Sequence, residues 1–375
     1  MPGELREIGV IALVRTSGSA YERGREYGAN ASGPVAATLS MYKGVFEEVA
    51  GLDWRTVASR ALSFEPIIGA FRPSYLDELQ GIADGAGVDY ADIMAINLRT
   101  EIMLSAVAAR AESVGGCSAF ALSSAATTNG HTTIGQNWDW CPVAMDNLIV
   151  LEAIQEDAPN YLTVVEAGLL AKMGMNSEGV GVVTNTLISG EDAGEQGVPY
   201  HVLLRAVLDC SDAESAVALV RGATRSSSAN FLIADANDHV IDVETGPGSR
   251  QRSRAILPTD GRLCHTNHFT EHDLDIDDVM VTYGPNSFDR LRRLSHLMKE
   301  SPQMSRSTIE KALRDHLNEP GSVCQHIDSS RPRYEQAQTL ASVIIDLEDK
   351  VMWLAEGPPC AADFEVVHTS DGWLA

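Results

Sequence analysis

Basic residues are scarce in this sequence of 375 residues. It contains 28 lysines and arginines against 52 aspartates and glutamates, which gives a net charge of -24. Nucleic-acid-binding surfaces need clustered positive charge, and anionic membranes attract basic segments, so neither is an expected partner. No apolar run reaches about 18 residues, the length at which a membrane-spanning helix becomes a candidate. The composition is otherwise that of an ordinary globular protein.

The six cysteines are widely spaced, and no two of them form a C-x-x-C pair. We therefore predict mostly buried free thiols in a reducing cytoplasm rather than a disulfide framework. Charges at Glu4, Arg6 and Glu7 argue against a secretory signal, which again favours a cytoplasmic location. No glycine-rich phosphate-binding motif lies between a strand and a helix. We expect no cofactor.

The two parts of the chain differ in pattern. Residues 1–112 are predicted to be mainly helical after a strand at 8–14, with a capping box from Ser19 to Glu22. Three glycines, at 81, 85 and 87, are predicted to interrupt this helical region. From residue 115 onward the pattern changes to strands with helices in blocks, which predicts an α+β fold. Strands are predicted at residues 117–122, 131–138, 148–154, 162–166, 180–184, 231–234, 240–244, 339–347 and 350–355, and helices at 202–208, 213–220, 286–299 and 308–317.

The segment Gly115-Gly116-Cys117 opens the first of these later strands. Two glycines leave the preceding peptide unhindered, so the Cys117 thiol can approach the Gly116 carbonyl. Cleavage before Cys117 would free a thiol and an α-amino group on one residue. Such an amine has a pKa of about 7.7–8.0 and can accept the thiol proton near neutral pH. We therefore predict self-processing between Gly116 and Cys117, with Cys117 as nucleophile and base.

Polar residues that adjoin apolar strands complete the predicted site. Asp139 lies between two tryptophans, and a buried carboxylate needs a partner, for which Arg290 is the candidate. Asn185 and Asn230 each adjoin an apolar strand, and an asparagine amide can stabilise an oxyanion. Further contacts to the oxyanion or the substrate are assigned to Asn137 and Trp138.

A histidine group offers the main alternative. His265, His268 and His272, with Asp273, Asp275 and Asp277 nearby, supply side chains that bind metals. Their spacing matches no established metal signature, so a metal-dependent hydrolase remains a distant alternative and we expect no metal.

Seven short motifs are spread along the chain: GSAYERG at 18–24, GCSAF at 116–120, GQNWD at 135–139, NSEG at 176–179, GVPYHVLLR at 197–205, HTNH at 265–268 and LAEGPPC at 354–360. Together these motifs resemble those of the N-terminal-nucleophile hydrolases. More closely, the chain resembles the acyl-coenzyme A:6-aminopenicillanic acid acyltransferase family over nearly its whole length.

This resemblance implies a four-layer αββα sandwich, made as a precursor. Residues 1–116 would form a pro-segment or α-subunit and residues 117–375 the β-subunit, joined in one structural domain and in an αβ heterodimer after cleavage. Asp139 would orient the amine, Asn230 would hold the oxyanion, and Arg290 would pair with the site. Homo-oligomers are also compatible with this family.

The predicted activity is that of an amidohydrolase acting on a linear, non-peptide amide of a small N-acyl substrate through a Cys117 thioester. An acyl-coenzyme A-dependent N-acyltransferase of the same fold is the alternative, because it differs only in the molecule that attacks the thioester.

Overall fold

The structure is a computed structural model that describes residues 6–8, 11–107, 116–194, 196–271, 276–284, 286–370 and 373. Its framework is a pair of β-sheets. The larger sheet has nine strands, in the order β1-β2-β5-β6-β7-β8-β9-β10-β11, and only the β2–β5 pair is parallel. Its strands are β1 (Arg6–Ile8), β2 (Ile11–Gly18), β5 (Leu148–Gln155), β6 (Tyr161–Glu166), β7 (Met173–Asn176), β8 (Val180–Thr186), β9 (Ala229–Asp235), β10 (Val240–Thr245) and β11 (Ser253–Ile256).

The smaller sheet has six antiparallel strands in the order β12-β3-β4-β13-β14-β15. It contains the strand that begins at Gly116 and the strand that carries Asp139. Its strands are β3 (Gly116–Leu122), β4 (Thr133–Trp140), β12 (Arg262–His265), β13 (Gln338–Asp346), β14 (Val351–Glu356) and β15 (Glu365–Val367).

Helices cover the outer faces of both sheets. The α-helices are α1 (Ala20–Asn30), α2 (Ser32–Val45), α3 (Trp54–Leu62), α4 (Glu65–Phe71), α5 (Pro73–Ala86), α6 (Tyr90–Asn97), α7 (Arg99–Val107), α8 (Tyr200–Val207), α9 (Ala213–Gly222), α10 (Met280–Tyr283), α11 (Asn286–Leu297) and α12 (Arg306–Leu313). Short 3₁₀ turns cover Ser124–Ala126, Pro142–Asn147, Arg250–Arg252 and Arg333–Glu335, and a π-helical turn covers Phe46–Ala50.

Two hydrophobic layers show how these elements stack. The larger core joins α1, α2, α5, α8 and α9 to the nine-stranded sheet and continues into the space between the sheets, where β3 packs on β8 and β9. A second core fills the space between the six-stranded sheet and helices α11 and α12. The order is therefore helices, sheet, sheet, helices, and the predicted α+β fold with an αββα sandwich is confirmed. Within the described residues, no helix is both long and apolar enough to cross a bilayer.

Local signals located the first helix correctly. The Ser19 hydroxyl accepts from the Glu22 N–H, and the Glu22 carboxylate accepts from the Ser19 N–H at 3.0 Å, so the predicted capping box is present. The ladder of the β3–β4 hairpin ends at the pair Leu122 and Thr133, so residues 123–132 connect the two strands.

The glycines in the N-terminal helices have a different role from the predicted one. Gly81 and Gly85 lie inside α5, and Gly24 and Gly28 lie opposite them in α1. A Cβ at any of these four positions would lie only 2.1–2.3 Å from a backbone oxygen of the other helix. These glycines therefore allow the two backbones to pack in direct contact, and only Gly87, at φ +68°, ends the helix.

Candidate active site

Cys117 is the second residue of β3 and pairs with Trp138 of β4. Its side chain is 6 % exposed and belongs to the core between the two sheets. Successive strand residues point to opposite faces, so Ser118, Asn137 and Asp139 lie on the other face, toward α11 and α12. The thiol therefore occupies the inner layer of the sandwich at the beginning of a strand.

Three side chains hold the backbone of Cys117. Its N–H donates to Asn267 Oδ1 at 2.7 Å, and its carbonyl oxygen accepts from Arg290 Nη1 at 2.7 Å and from Asn185 Nδ2 at 3.1 Å. Arg290 Nη2 also donates to Asn267 Oδ1 at 2.9 Å, which joins two of these residues. We name these three residues, Asn185, Asn267 and Arg290, the clamp. They fix both peptide groups around Cys117.

Asn185 and Asn230 are direct cross-strand partners in β8 and β9. Asn230 Nδ2 donates to Asn185 Oδ1 at 3.1 Å, and among the described residues Asn230 Oδ1 has no hydrogen-bond partner. Both side chains are completely buried. The structure thus brings the two predicted oxyanion asparagines together and connects them to the Cys117 carbonyl.

Asp139 is directly opposite Gly116 in the β3–β4 ladder and is buried. Its Oδ1 accepts from the Thr339 hydroxyl at 2.6 Å, whereas Oδ2 has no partner in the described part of the chain. Burial raises the pKa of this carboxyl to about 7, although the Arg290 charge opposes the shift. Arg290 therefore acts on Asp139 electrostatically, while its hydrogen bonds go to Cys117, Ser118 and Asn267.

Burial also dominates the ionisation of the thiol. It raises the pKa of Cys117 to about 11, although the nearby Lys172 and Arg290 cations lower it. In the uncut chain the thiol is therefore protonated at neutral pH. An attack by sulfur requires a base that removes this proton.

Lys172 is a site residue that sequence reasoning missed. Its Nζ lies 3.5 Å from the centroid of the Trp138 ring and 3.9 Å from Glu166 Oε2. Burial lowers the pKa of this amine to about 7, although Glu166 and Cys117 oppose the shift. Among the lysines that the structure describes, Lys172 alone is buried. Its place in the apolar run AGLLAKMGM was a signal that could have identified it.

Asn267 is a second site residue that was not predicted from the sequence. It follows β12, and its Nδ2 donates to the Thr186 carbonyl while its own N–H donates to the Ser287 hydroxyl. These contacts fix the position of Asn267 Oδ1, which accepts from the Cys117 N–H. No local pattern could reveal this contact, because 150 positions separate Asn267 from Cys117.

The structure does not bring every predicted residue to the thiol. Asn137 Nδ2 donates to the carbonyls of Leu313 and Val323, both at 2.8 Å, on the helix side of the sheet. Both of its N–H donors are thus occupied on the face of the sheet that points away from the thiol. Trp138 does lie beside Cys117 and forms part of the wall around the thiol. Gly116 is described, whereas Gly115 lies outside the described residues.

The histidine alternative is not supported by the positions of its described members. His265 Nε2 lies 2.8 Å from Glu244 Oε1. Burial lowers the pKa of His265, but Asp242 and Glu244 outweigh it and raise that pKa to about 9. His268 instead contacts the Ser287 hydroxyl and stacks on Phe288. Neither histidine belongs to a potential metal-ligand cluster among the described residues. His272, Asp273 and Asp275 lie outside those residues.

Comparisons with known proteins agree with the sequence motifs. The family model described as acyl-coenzyme A:6-aminopenicillanic acid acyl-transferase matches residues 126–360, a span that begins after Cys117. The acyl-coenzyme A:6-aminopenicillanic-acid-acyltransferase 40 kDa form of Emericella nidulans is 28 % identical over 359 residues, which cover 95 % of each chain. The beta-alanyl-dopamine/carcinine hydrolase of Drosophila melanogaster is 23 % identical over 378 residues, which cover 93 % of each. Among solved structures, a conjugated bile acid hydrolase from Clostridium perfringens has a TM-score of 0.45 at 13 % identity, covering 67 % of this chain and 97 % of that one.

Proposed function

The chain belongs to the acyl-coenzyme A:6-aminopenicillanic acid acyl-transferase family, and from this premise we propose that it is a self-processing cysteine amidohydrolase. Its substrate is a small molecule with a linear, non-peptide N-acyl amide bond. One observation carries the proposal. The clamp holds both peptide groups of Cys117 directly after Gly116, at the bond that processing would cut.

Processing begins with attack of the Cys117 sulfur on the Gly116 carbonyl carbon. Before the cut the Cys117 nitrogen is an amide and cannot act as a base, so we assign the first proton transfer to Lys172. This amine has a pKa of about 7, lies on the thiol's face of the sheet, and interacts electrostatically with the thiol. The nitrogen of Cys117 leaves as an amine and takes up a proton. Water then hydrolyses the Gly116–Cys117 thioester and releases a carboxylate and a free thiol.

The new α-amine is the base for substrate turnover. This amine forms at the nitrogen whose peptide N–H donates to Asn267 Oδ1, so Asn267 orients the amine. Asp139, which is partly neutral, lies opposite Gly116 in the β3–β4 ladder. The amine takes the thiol proton, and sulfur attacks the substrate carbonyl. Asn230 and Asn185 stabilise the oxyanion. The protonated amine then donates to the leaving nitrogen, and water resolves the thioester.

Acyl transfer is the alternative outcome at the same thioester. The two curated relatives carry the names of an acyltransferase and of a hydrolase. Hydrolysis is favoured here because coenzyme A carries phosphates, whereas this chain has a net charge of -24.

The cut fragments remain one structural unit in this proposal. Strand β2 pairs with β5, and Arg99 donates to Glu166 at 2.5 Å, so contacts join residues 1–116 to residues 117–375 in both the sheet and the core. The product is an αβ heterodimer, and it is free to form homo-oligomers. The described cysteines are free thiols, which suits a reducing cytoplasm.

Intact mass and a denaturing gel test the proposal. The parent protein should give fragments of residues 1–116 and 117–375 and should release amine from a panel of N-acyl amides. Cys117→Ala should give one uncut band without activity, whereas Cys210→Ala, a matched control at a partly buried cysteine, should behave as the parent does. An uncut Cys117→Ala protein that keeps amidase activity would refute the proposal. A panel of acyl-coenzyme A donors with amine acceptors separates acyl transfer from hydrolysis.

A further inference from the structure

We propose that His316, Cys324, His326 and Cys360 form a structural zinc site. We name these four residues the Cys2His2 cluster. The cluster lies outside the proposed catalytic site. Three of its members follow α12, and the fourth follows β14.

The distances within the cluster match tetrahedral coordination. The potential ligand atoms all lie within 4.8 Å of one another. His326 Nε2 lies 3.1 Å from His316 Nε2, 3.7 Å from Cys324 Sγ and 3.4 Å from Cys360 Sγ. With zinc–nitrogen bonds of about 2.0–2.1 Å and zinc–sulfur bonds of about 2.3 Å, a tetrahedral site separates two nitrogens by about 3.4 Å and nitrogen from sulfur by about 3.5 Å. The three distances from His326 are thus close to those of a tetrahedral zinc site.

Hydrogen bonding alone does not explain this convergence. His326 Nε2 faces one nitrogen and two sulfurs, whereas a neutral imidazole nitrogen either donates one hydrogen or accepts. One cation at the centre satisfies all four ligand atoms together. Two thiolates and two imidazoles select zinc over the hard cations calcium and magnesium, which prefer oxygen ligands.

Binding involves no change of oxidation state. The two cysteine thiols release their protons to solvent, and the two thiolates neutralise the charge of Zn²⁺. Cys324 is buried, but the ion has access to the cluster from solvent because His316 and Cys360 are exposed.

The site would position a loop against the catalytic strands. Gln325 lies between two ligands of the cluster. Its carbonyl oxygen accepts from the Thr339 N–H and its N–H donates to the Thr339 hydroxyl, both at 3.0 Å. That hydroxyl donates to Asp139, and the Gln325 side-chain oxygen lies 3.2 Å from where a Cβ on Gly116 would be. The ion would therefore stabilise the loop that borders the cleavage site.

Zinc analysis of the reduced full-length protein tests this proposal. After incubation with zinc and removal of free metal, the parent and the matched Cys210→Ser control should each hold one zinc per chain. The double variant Cys324→Ser/Cys360→Ser should hold none. Cobalt should give the parent a thiolate charge-transfer band and the visible bands of tetrahedral Co²⁺, and the double variant should lack both.

A milder variant guards against misfolding of the double variant. His316→Gln alters an exposed ligand and should weaken zinc binding by more than the roughly 10–100-fold that loss of an outer hydrogen bond costs. Equal zinc content in the parent and the double variant would overturn the proposal. So would less than one zinc per chain in a parent whose thiols are shown to be reduced, or a Cys324–Cys360 disulfide that forms in preference to zinc binding when both are offered.

Discussion

Replacing Asp139 by asparagine should stabilise the fold at high pH. Asp139 is 1 % exposed, and burial raises the pKa of its carboxyl to about 7. An ordinary aspartate has a pKa of about 3.9, so the folded state binds an extra proton between these values. Stability therefore falls as pH rises from about 4 to about 7, by about 1.4 kcal/mol per unit and by about 4 kcal/mol in total.

Asparagine remains neutral and avoids this loss. It can still accept from the Thr339 hydroxyl, as Asp139 Oδ1 does at 2.6 Å. The new amide N–H donors take the place of Asp139 Oδ2, which has no partner among the described residues. Leaving these buried donors without acceptors costs about 1–3 kcal/mol. The Asp139→Asn chain should therefore be more stable than its parent by about 1–3 kcal/mol near pH 8 and no more stable near pH 4, where both side chains are neutral.

Urea unfolding measures this difference. Both chains should carry Cys117→Ala, so that an uncut polypeptide unfolds in each case, and Asp363→Asn provides a control at a fully exposed carboxylate. The midpoint of the Asp139→Asn chain relative to its parent should rise with pH, whereas that of the control should not. A difference that stays constant from about pH 4 to about pH 8 would refute the reasoning. With Cys117 present, Asp139→Asn should slow processing or turnover, and normal rates for both would remove Asp139 from the site.

Three further variants test other parts of the site. Gly116→Ala places a Cβ 3.0 Å from Arg290 Nη2 and should slow processing about 10- to 100-fold in a time course on gels. The control Gly33→Ala, whose Cβ meets no atom within 4 Å, should leave the processing rate unchanged. Lys172→Met should slow processing. Burial lowers the pKa of Lys172 to about 7 in the folded chain, so at and below that pH the buried charge destabilises the folded parent fully. As pH rises from about 7 to about 10, the folded amine becomes neutral and this cost disappears. The stability advantage of the methionine variant in urea should therefore fade over that range. A pH-independent difference would contradict this reasoning. Asn230→Ala should lower kcat about 10²–10³-fold with little change in KM, and an unchanged kcat would exclude an oxyanion contact.

Signals within a few residues of each other predicted much of the framework. The capping box at Ser19 begins α1 as expected, and the strands predicted at residues 117–122 and 131–138 are present as β3 and β4. Such features depend on short-range backbone geometry, which a sequence reveals directly. The predicted roles of Cys117 and Asp139 remain predictions.

The interruptions predicted at Gly81 and Gly85 are wrong because these glycines lie where two helices pack closely. Gly81 and Gly85 suggested interruptions, because glycine is costly in an isolated helix. Their benefit depends on α1, whose backbone lies where a side chain would otherwise be. Asn137 lies in β4, but its amide donates to the carbonyls of Leu313 and Val323 on the helix side of the sheet, a partnership that its local sequence does not indicate.

The sequence by itself determined the α+β class, the family motifs and the cysteine that follows two glycines at the beginning of a strand, because each depends on residues close together in the chain. Only the tertiary structure decided that Asn267 holds the Cys117 N–H, that Lys172 lies on the thiol's face, and that Cys324 and Cys360 converge with two histidines. These contacts join distant segments that meet only when the sheets and helices stack. Burial between those layers then sets the pKa values of Asp139 and Lys172, and no local pattern specifies burial.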